Sequence, residues 1–311
     1  MGVTKFYEIT NKNVLSDSEG KKISDLGEDV KLENLSGLRV AVDASTMIYQ
    51  ALLALQFVSS LTDSSGKPTG HINTIFNKIL MLKKANVEQV WVFDSPEQNE
   101  LKKQELAKRE KRRENAKDDK QAFKMAGEHV KDIQDLLEAM GVLYIVAPPG
   151  IEAEQYAALM TQGDDPFCSF VMSGDSDVLL FGGNLLRPMT QKSATGKSKK
   201  TVYATYNIKK ILTEFDITRE QLVTMGVAMG SDFAPKTPRI GPSSVHNALR
   251  KNKLILTTEQ QAAHDYFMSS LDTTSAAINK SKFDREKLVL LLVKRGFKED
   301  RITKLIDAAY S

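Results

Sequence analysis

Short apolar runs rich in β-branched residues alternate with longer stretches of helical periodicity through the first two thirds of the chain. The runs predict strands at 38–42, 89–93, 142–146, 167–172 and 185–189. The longer stretches predict helices at about 45–58, 71–84, 128–140 and 153–160. Such alternation favours an α/β fold with a mostly parallel, twisted central sheet flanked by helices.

The pattern becomes helical from Thr218 onward, and no internal repeat is evident. We therefore expect a core at residues 1–217 and a helical subdomain at 218–311 packed beside the sheet. Within the core, residues 98–135 read as a basic helical region above the sheet.

Composition narrows the class of protein. The chain has 311 residues, 27% of them charged, and a formal net charge of +3, as in an ordinary globular protein. It has no apolar run of eighteen residues and no apolar signal core, so we expect neither a membrane span nor secretion. One cysteine, Cys168, excludes an internal disulfide framework and fits an intracellular, reducing compartment.

Seven acidic residues stand where apolar runs end in turns or helix starts. Asp43 and Asp94 directly follow predicted strands, and Asp175 and Asp177 follow the strand at 167–172. The ligand crevice of an open α/β sheet lies beyond the carboxyl ends of its strands, so we expect these acids to face one crevice. The full set is Asp43, Asp94, Glu152, Glu154, Asp175, Asp177 and Asp232.

Each acid alone has a structural alternative. An Asp in a turn often caps backbone amides, and glutamates in a first helical turn complement the helix dipole. Glu152 and Glu154 would diverge by about 200° on a regular helix, so they converge only in an irregular first turn. Clustered carboxylates, however, repel each other unless cations bind them. Several carboxylates holding two ions roughly 4 Å apart are what two-metal phosphoryl chemistry requires. The set therefore indicates a site for Mg²⁺.

The stretch after Asp94 is helix-prone and dense in charges of both signs. Lys102, Arg109 and Arg113 recur there at helical spacing, with Arg112 beside them. A solvated helix laced with ion pairs is one interpretation. We favour a basic helix above the acidic crevice, because a polyanionic substrate needs cations to offset its phosphate charge.

Two further segments bear on a nucleic-acid substrate. Tyr49 lies six residues after Asp43, where core packing and stacking on a nucleobase are both open. A Gly/Pro turn at 238–245 enters a helix, whose N-terminal amides can bind phosphate. By itself, however, this turn is better interpreted as an ordinary helix-turn-helix packing unit.

In order and spacing, these segments together resemble the flap endonuclease (XPG-type, PIN-like) family of structure-specific 5′ nucleases, as in a minimal or viral member. The resemblance spans almost the whole chain. It is carried by the segments Met1-Gly2-Val3, Val42-Asp43-Ala44-Ser45, Val92-Phe93-Asp94, Ile151-Glu152-Ala153-Glu154, Gly174-Asp175-Ser176-Asp177, Gly230-Ser231-Asp232 and Ile240-Gly241-Pro242.

The resemblance implies roles for the site residues. All seven acids match the family's two-metal site for Mg²⁺, with Mn²⁺ as an alternative ion, and Asp43, Asp94, Glu152 and Asp175 count among the catalytic residues. Lys102 and Arg109 match basic side chains over the scissile phosphate, and Arg112 and Arg113 continue that helix. Gly2 matches a small residue beside the duplex, and Tyr49 a base-stacking aromatic.

The resemblance also implies a helix-hairpin-helix motif, with Gly241, Ser243 and Ser244 at the duplex and K⁺ held by backbone carbonyls. The chain departs from the family there. Arg239 stands at the first Gly of the usual Gly-Ile-Gly-Pro, and Ser243 and Ser244 replace Lys and Arg. These departures put K⁺ binding and the duplex grip in question. The segment between Asp94 and Glu152 is short for the family, which implies a reduced cap.

We therefore expect a monomeric hydrolase that cuts DNA with 5′ flaps, ends, gaps or junctions, as a flap endonuclease or 5′–3′ exonuclease. The implied setting is replication, repair or recombination, in the nucleus of a eukaryote or at a viral replication site. Sliding-clamp binding through a C-terminal tail is not expected. The alternatives are a catalytically inactive nucleic-acid-binding scaffold on the same fold and a small-molecule metal phosphatase, which would leave the basic helix unexplained.

Overall fold

The computed structural model describes residues 2–11, 20–55, 61–97, 125–192, 199–271 and 276–310, together with 101, 106, 107, 110, 111 and 114. Eight strands form one sheet. They are β1 (Glu28–Val30), β2 (Arg39–Asp43), β3 (Glu88–Phe93), β4 (Leu143–Val146), β5 (Phe170–Met172), β6 (Leu185–Lys192), β7 (Lys199–Tyr206) and β8 (Ala277–Asn279).

Eleven α-helices lie in the continuous described ranges, apart from the helical residues between 106 and 114. They are α1 (Ala44–Leu55), α2 (Gly70–Lys84), α3 (Gly127–Ala139), α4 (Ala153–Leu159), α5 (Asp177–Leu180), α6 (Ile208–Phe215), α7 (Arg219–Met229), α8 (Val245–Arg250), α9 (Thr258–Met268), α10 (Arg285–Lys294) and α11 (Glu299–Tyr310). No helix in these ranges combines the length and the apolar character needed to cross a bilayer.

The strand order is β1-β7-β6-β5-β2-β3-β4-β8. The five central strands, from β6 to β4, are parallel, while β7, β1 and β8 pair antiparallel at the two edges. The predicted α/β fold with a mostly parallel sheet is confirmed. All five predicted strands are present, and the helices at 71–84, 128–140 and 153–160 agree with α2, α3 and α4 within a residue or so.

Side chains alternate between the two faces of the central strands, because successive strand residues point to opposite sides. Ala41 and Val90 belong to the core on one face, and Val42 and Trp91 to the core on the other. Helices α4 to α9 cover the first face, whereas α1 to α3, α10 and α11 cover the second. Burial on both faces explains why the central strands read as near-continuous apolar runs.

The three antiparallel strands, β1, β7 and β8, were not predicted. β8 is only three residues long, and it pairs with β4 through Ala277 opposite Val146. Residues 218–311 thus contribute a strand to the sheet and helices to both of its faces. The division of the chain at residue 217 stays a prediction.

Candidate active site

The carboxyl ends of β2 and β3 deliver the first two predicted acids. Asp43 is the last residue of β2, and Asp94 directly follows Phe93 at the end of β3. The two strands are parallel neighbours, with Asp43 opposite Val92. The sheet order reverses at β2, which has β3 on one side and β5 on the other. This reversal creates the switch-point crevice in which ligands of open α/β sheets bind.

Asp43 is a buried carboxylate whose charged form is disfavoured by its surroundings. Burial, followed by repulsion from Asp94, raises the pKa of Asp43 to about 6. Hydrogen bonds oppose this rise, since the backbone N–H of Thr46 donates to Oδ1 at 3.0 Å and the Ser173 hydroxyl donates to Oδ2 at 2.9 Å. The two strand-end acids therefore sense each other's charge, as predicted for neighbours in one crevice.

Glu152 and Glu154 flank the residue that contacts Asp94. Glu152 is the N-cap of α4 with an extended backbone, and Glu154 lies in the first turn of that helix. The backbone N–H of Ala153, between them, donates to Oδ1 of Asp94 at 2.7 Å. The start of α4, with one glutamate on either side of Ala153, thus lies at the end of β3. Glu154 is 8% exposed, which a role limited to the helix dipole at the surface does not require.

The turn after β5 carries Asp175 and Asp177, both almost fully buried. The backbone N–H of Asp177 donates to Oδ1 of Asp175 at 3.1 Å, and the N–H of Asp175 donates to the Ser173 hydroxyl at 3.1 Å. Because the same hydroxyl contacts Asp43, the acids of β2 and β5 meet across the switch point. Ser173 was missed by the sequence reasoning, although it occupies a strand-end position like the acids.

The N-terminal segment closes the other side of this acidic turn. The backbone N–H of Val3 lies 3.0 Å from Oδ1 of Asp177 and 3.1 Å from the Ser176 hydroxyl. Thr4 donates its N–H to the carbonyl of Gly230 at 3.0 Å, which brings the loop bearing Asp232 against the same segment. Hydrogen bonds therefore connect Asp43, Asp175 and Asp177 to the N-terminal segment, and that segment contacts the loop that leads to Asp232.

Gly2 lies directly against the acids, with a φ of +86°. A β-carbon at this position would overlap Oδ1 of Asp175 and would lie 2.6 Å from the Ser176 hydroxyl. Only glycine fits this approach without displacing these side chains.

The donor set fits hard divalent cations, because every predicted ligand is a carboxylate oxygen. Repulsion by Asp94 contributes to the raised pKa of Asp43, after burial, and a bound cation would relieve that repulsion. Among the described residues, however, no three acidic, histidine or cysteine side chains stand close enough together to hold an ion as they are. Binding of a cation would have to draw the carboxylates of this rim inward.

The basic residues predicted above the site, Lys102, Arg109, Arg112 and Arg113, lie outside the described residues. Of their neighbours, Leu106, Ala107, Glu110, Lys111 and Glu114 are helical, and Leu101 packs against the core. Tyr49 lies on α1, half-buried, one and a half turns beyond Asp43. The structure leaves its base-stacking role a prediction.

The hairpin segment forms a tight turn before α8. The carbonyl of Gly241 accepts hydrogen bonds from the backbone N–H groups of Ser244 and Val245, and the Ser244 hydroxyl accepts the N–H of Gly241 at 3.0 Å. Ser243 is exposed. Arg239 has a φ of +64°, a left-handed conformation that favours glycine.

A second feature missed by the sequence reasoning lies behind the acidic turn. The guanidinium carbon of Arg187 is 3.8 Å from the centroid of the Tyr7 ring. Burial raises the pKa of the Tyr7 hydroxyl, and the charges of Asp175 and Asp177 add to that rise while Arg187 opposes it. A tyrosine and an arginine, both on elements with no acidic motif, thus lie within electrostatic range of the site.

Comparison with known proteins places this arrangement in a family. The model of the XPG N-terminal domain matches residues 20–116, and that of the XPG I-region matches residues 141–232. All seven acids lie within these two ranges. Flap endonuclease 1 of Zea mays is 30% identical over 317 residues, covering 90% of this chain and 81% of that protein. Flap endonuclease 1 of Pyrococcus horikoshii is 30% identical over 327 residues, 93% of each chain.

The chain belongs to the XPG family of flap endonucleases. The predicted family is therefore confirmed, and the solved structures agree on the fold. The flap endonuclease-1 of Methanococcus jannaschii superposes with a TM-score of 0.74 at 24% identity, covering 91% of this chain and 95% of the other. The catalytic core of Rad2 in complex with DNA substrate gives 0.71 at 22% identity, with 92% and 97% covered.

Proposed function

We propose that this XPG-family chain is a structure-specific 5′ nuclease that hydrolyses DNA phosphodiester bonds at 5′ flaps, ends, gaps or junctions. The observation that carries the proposal is the placement of acids at one edge of the sheet. Hydrogen bonds join the acids at the ends of β2 and β5, and another joins Asp94, after the neighbouring strand β3, to the start of α4. Membership of a family whose named relatives are flap endonucleases supports the reaction class.

Two Mg²⁺ ions fit the donor chemistry of the site. We assign Asp175, Asp177, Glu154 and Asp232 to one ion, and Asp94, Glu152 and Glu154 to the other. Asp43 acts mainly through waters bound to the ions, since both of its oxygens already accept protein hydrogen bonds. When bound, the two ions supply an activated water and stabilise charge on the leaving oxygen.

The chain's own residues bind and orient the DNA in this proposal. Lys102 and Arg109 offset the charge that develops on the scissile phosphate, and Arg112 and Arg113 extend this basic surface. Tyr49 offers a ring on which a nucleobase stacks. Gly2 leaves the acidic turn open to a close approach of the substrate.

The hairpin before α8 binds the duplex away from the cut. The turn formed by Gly241, Ser243 and Ser244 meets phosphate oxygens, and the exposed Ser243 presents its hydroxyl to them. Such contacts position a duplex without reading its sequence. With serines in place of lysine and arginine, this contact depends less on charge. We expect its contribution to affinity to vary less with salt than that of the basic helix.

Substitution of Asp175 by alanine tests the site. In the proposal, the purified variant folds as the wild type does and cleaves end-labelled 5′-flap duplex in Mg²⁺ at least about 100-fold more slowly. Asp165→Ala is a matched control, because Asp165 is an exposed acid in the turn that precedes β5. Cleavage by Asp175→Ala near the wild-type rate would show that the site assignment is wrong.

A panel of substrates distinguishes the branches of the family. We would measure cleavage rates on flap, gapped, blunt-duplex and four-way-junction DNA, each with Mg²⁺ or with EDTA. The rates in Mg²⁺ rank the substrates by preference. We expect cleavage in Mg²⁺ alone, with the cut one step into the duplex and a 5′-phosphate on the product. Binding of flap DNA without turnover in Mg²⁺ or Mn²⁺ would instead identify a scaffold.

A further inference from the structure

Ser173 joins acids from two different strands. Its side chain is 0% exposed and lies directly after β5. The hydroxyl is 2.9 Å from Oδ2 of Asp43, and its oxygen is 3.1 Å from the backbone nitrogen of Asp175. The N–H of Asp175 can only donate, so Ser173 accepts there and directs its single proton to Asp43.

This hydroxyl determines how two carboxylates are held. Oδ1 of Asp43 accepts the N–H of Thr46, so Ser173 supplies the donor on the other oxygen and the carboxylate plane is held from both sides. Oδ1 of Asp175 accepts the N–H of Asp177 in the turn that Ser173 opens. Without Ser173, Oδ2 of Asp43 would lose this hydroxyl donor and the Asp175 N–H its acceptor.

We propose that Ser173 is a positioning residue of the nuclease site. It acts through Asp43 and Asp175, holding acids from β2 and β5 in one orientation toward the same cations. The inference rests on the proposed function, because it assigns those acids to the metal site. Partners that orient metal ligands in this way typically change metal affinity by about 10-fold to 100-fold when they are removed.

A purely structural role makes a different prediction. If Ser173 only satisfied buried polar groups, its removal would lower thermal stability and leave metal affinity unchanged. Metal binding to the folded, DNA-free protein therefore separates the two roles, since it requires no turnover.

The test measures Mn²⁺ binding to metal-free protein by electron paramagnetic resonance, alongside circular-dichroism melting. We expect Ser173→Ala to bind Mn²⁺ at least about 10-fold more weakly than the wild type, and Ser173→Thr, which keeps the hydroxyl, to restore most of that affinity. The same variants should need correspondingly more Mg²⁺ for half-maximal cleavage of flap DNA.

Ser231→Ala is the matched control. The Ser231 hydroxyl accepts the N–H of Phe233 at 3.2 Å, the same two-residue turn bond that Ser173 makes, and it also precedes a predicted ligand. We expect this variant to keep Mn²⁺ affinity within about two-fold. Ser173→Cys, of similar size but with a weak donor, replaces Ser173→Ala if the alanine variant does not fold.

The inference would be overturned if folded Ser173→Ala bound Mn²⁺ as tightly as the wild type does. The same holds for Ser173→Cys where it replaces the alanine variant. If the wild type cleaves none of the DNA substrates yet Ser173→Ala weakens Mn²⁺ binding, the proposed function fails and the positioning role stands. If the wild type cleaves flap DNA and Ser173→Ala keeps full metal affinity, only the positioning role fails.

Discussion

Gly2 packs against Asp175 so closely that a β-carbon on Gly2 would overlap Oδ1 of the carboxylate. The contact joins the second residue of the chain to the turn after β5. It is maintained by the neighbouring Val3, whose N–H bonds to Asp177 at 3.0 Å.

Gly2→Ala should therefore damage the site more than the fold. The added methyl must displace the side chains of Asp175 and Ser176. A misplacement of about 1 Å in an active site can cost about 100-fold in rate. We expect a loss of about that size in kcat/KM on 5′-flap DNA. The control is Gly37→Ala, because Gly37 has nearly the same φ, +82°, but no atom of the described residues lies within 4 Å of its β-carbon position. If Gly2→Ala and Gly37→Ala lost kcat/KM equally, backbone strain alone would explain the effect, and the contact with Asp175 would not.

The raised pKa of Asp43 predicts how stability depends on pH. The usual value is 3.8, and in the folded protein burial and the charge of Asp94 raise it to about 6. Between about pH 4 and 6 the folded state therefore binds more protons than the unfolded state, so this group lowers stability as the pH rises. The total loss in the free energy of unfolding from Asp43 across this pH range is of the order of 3 kcal/mol.

Asp43→Asn removes this titration. In urea denaturation of metal-free protein, we expect the variant to be more stable than the wild type at pH 7.5, with the difference shrinking toward pH 4. The same variant should lose activity, because it removes a catalytic acid. A stability difference that does not change between these pH values would contradict the assignment.

Arg239 occupies a backbone conformation that costs free energy for any residue with a side chain. Its φ is +64° and it is exposed. We expect Arg239→Gly to raise the free energy of unfolding by up to about 1 kcal/mol, measured by urea denaturation. Arg239→Ala, which loses the charge but keeps the strain, should show no such gain.

Tyr7 carries a buried hydroxyl for which the described residues provide no hydrogen-bond partner. Removing a buried hydroxyl that makes no hydrogen bond is favourable, because no desolvation cost remains. We therefore expect Tyr7→Phe to stabilise the protein by about 1 kcal/mol. The contact of Arg187 with the ring is retained in this variant. Tyr203→Phe should have the opposite effect, because its hydroxyl accepts the Lys78 amine at 3.0 Å. Thermal melts of the two variants would refute this account if both shifts had the same sign.

The five central strands could be predicted because each is a local apolar run buried on both faces. The same runs located Asp43 and Asp94, since a strand's last residues follow from where its pattern stops. β8 could not be found in this way. Its three residues, with Ile278 58% exposed, form a strand only because β4 offers an edge for pairing.

Sequence alone thus determined the type of each major element, the acids at their ends and the resemblance to the family. The tertiary structure decided which distant residues became neighbours. The hydrogen bond from Ser173 to Asp43 spans 130 residues, and that from Val3 to Asp177 spans 174. Periodicity reports only on neighbours along the chain, whereas burial, mutual charge and hydrogen-bond partners arise once separate elements pack together.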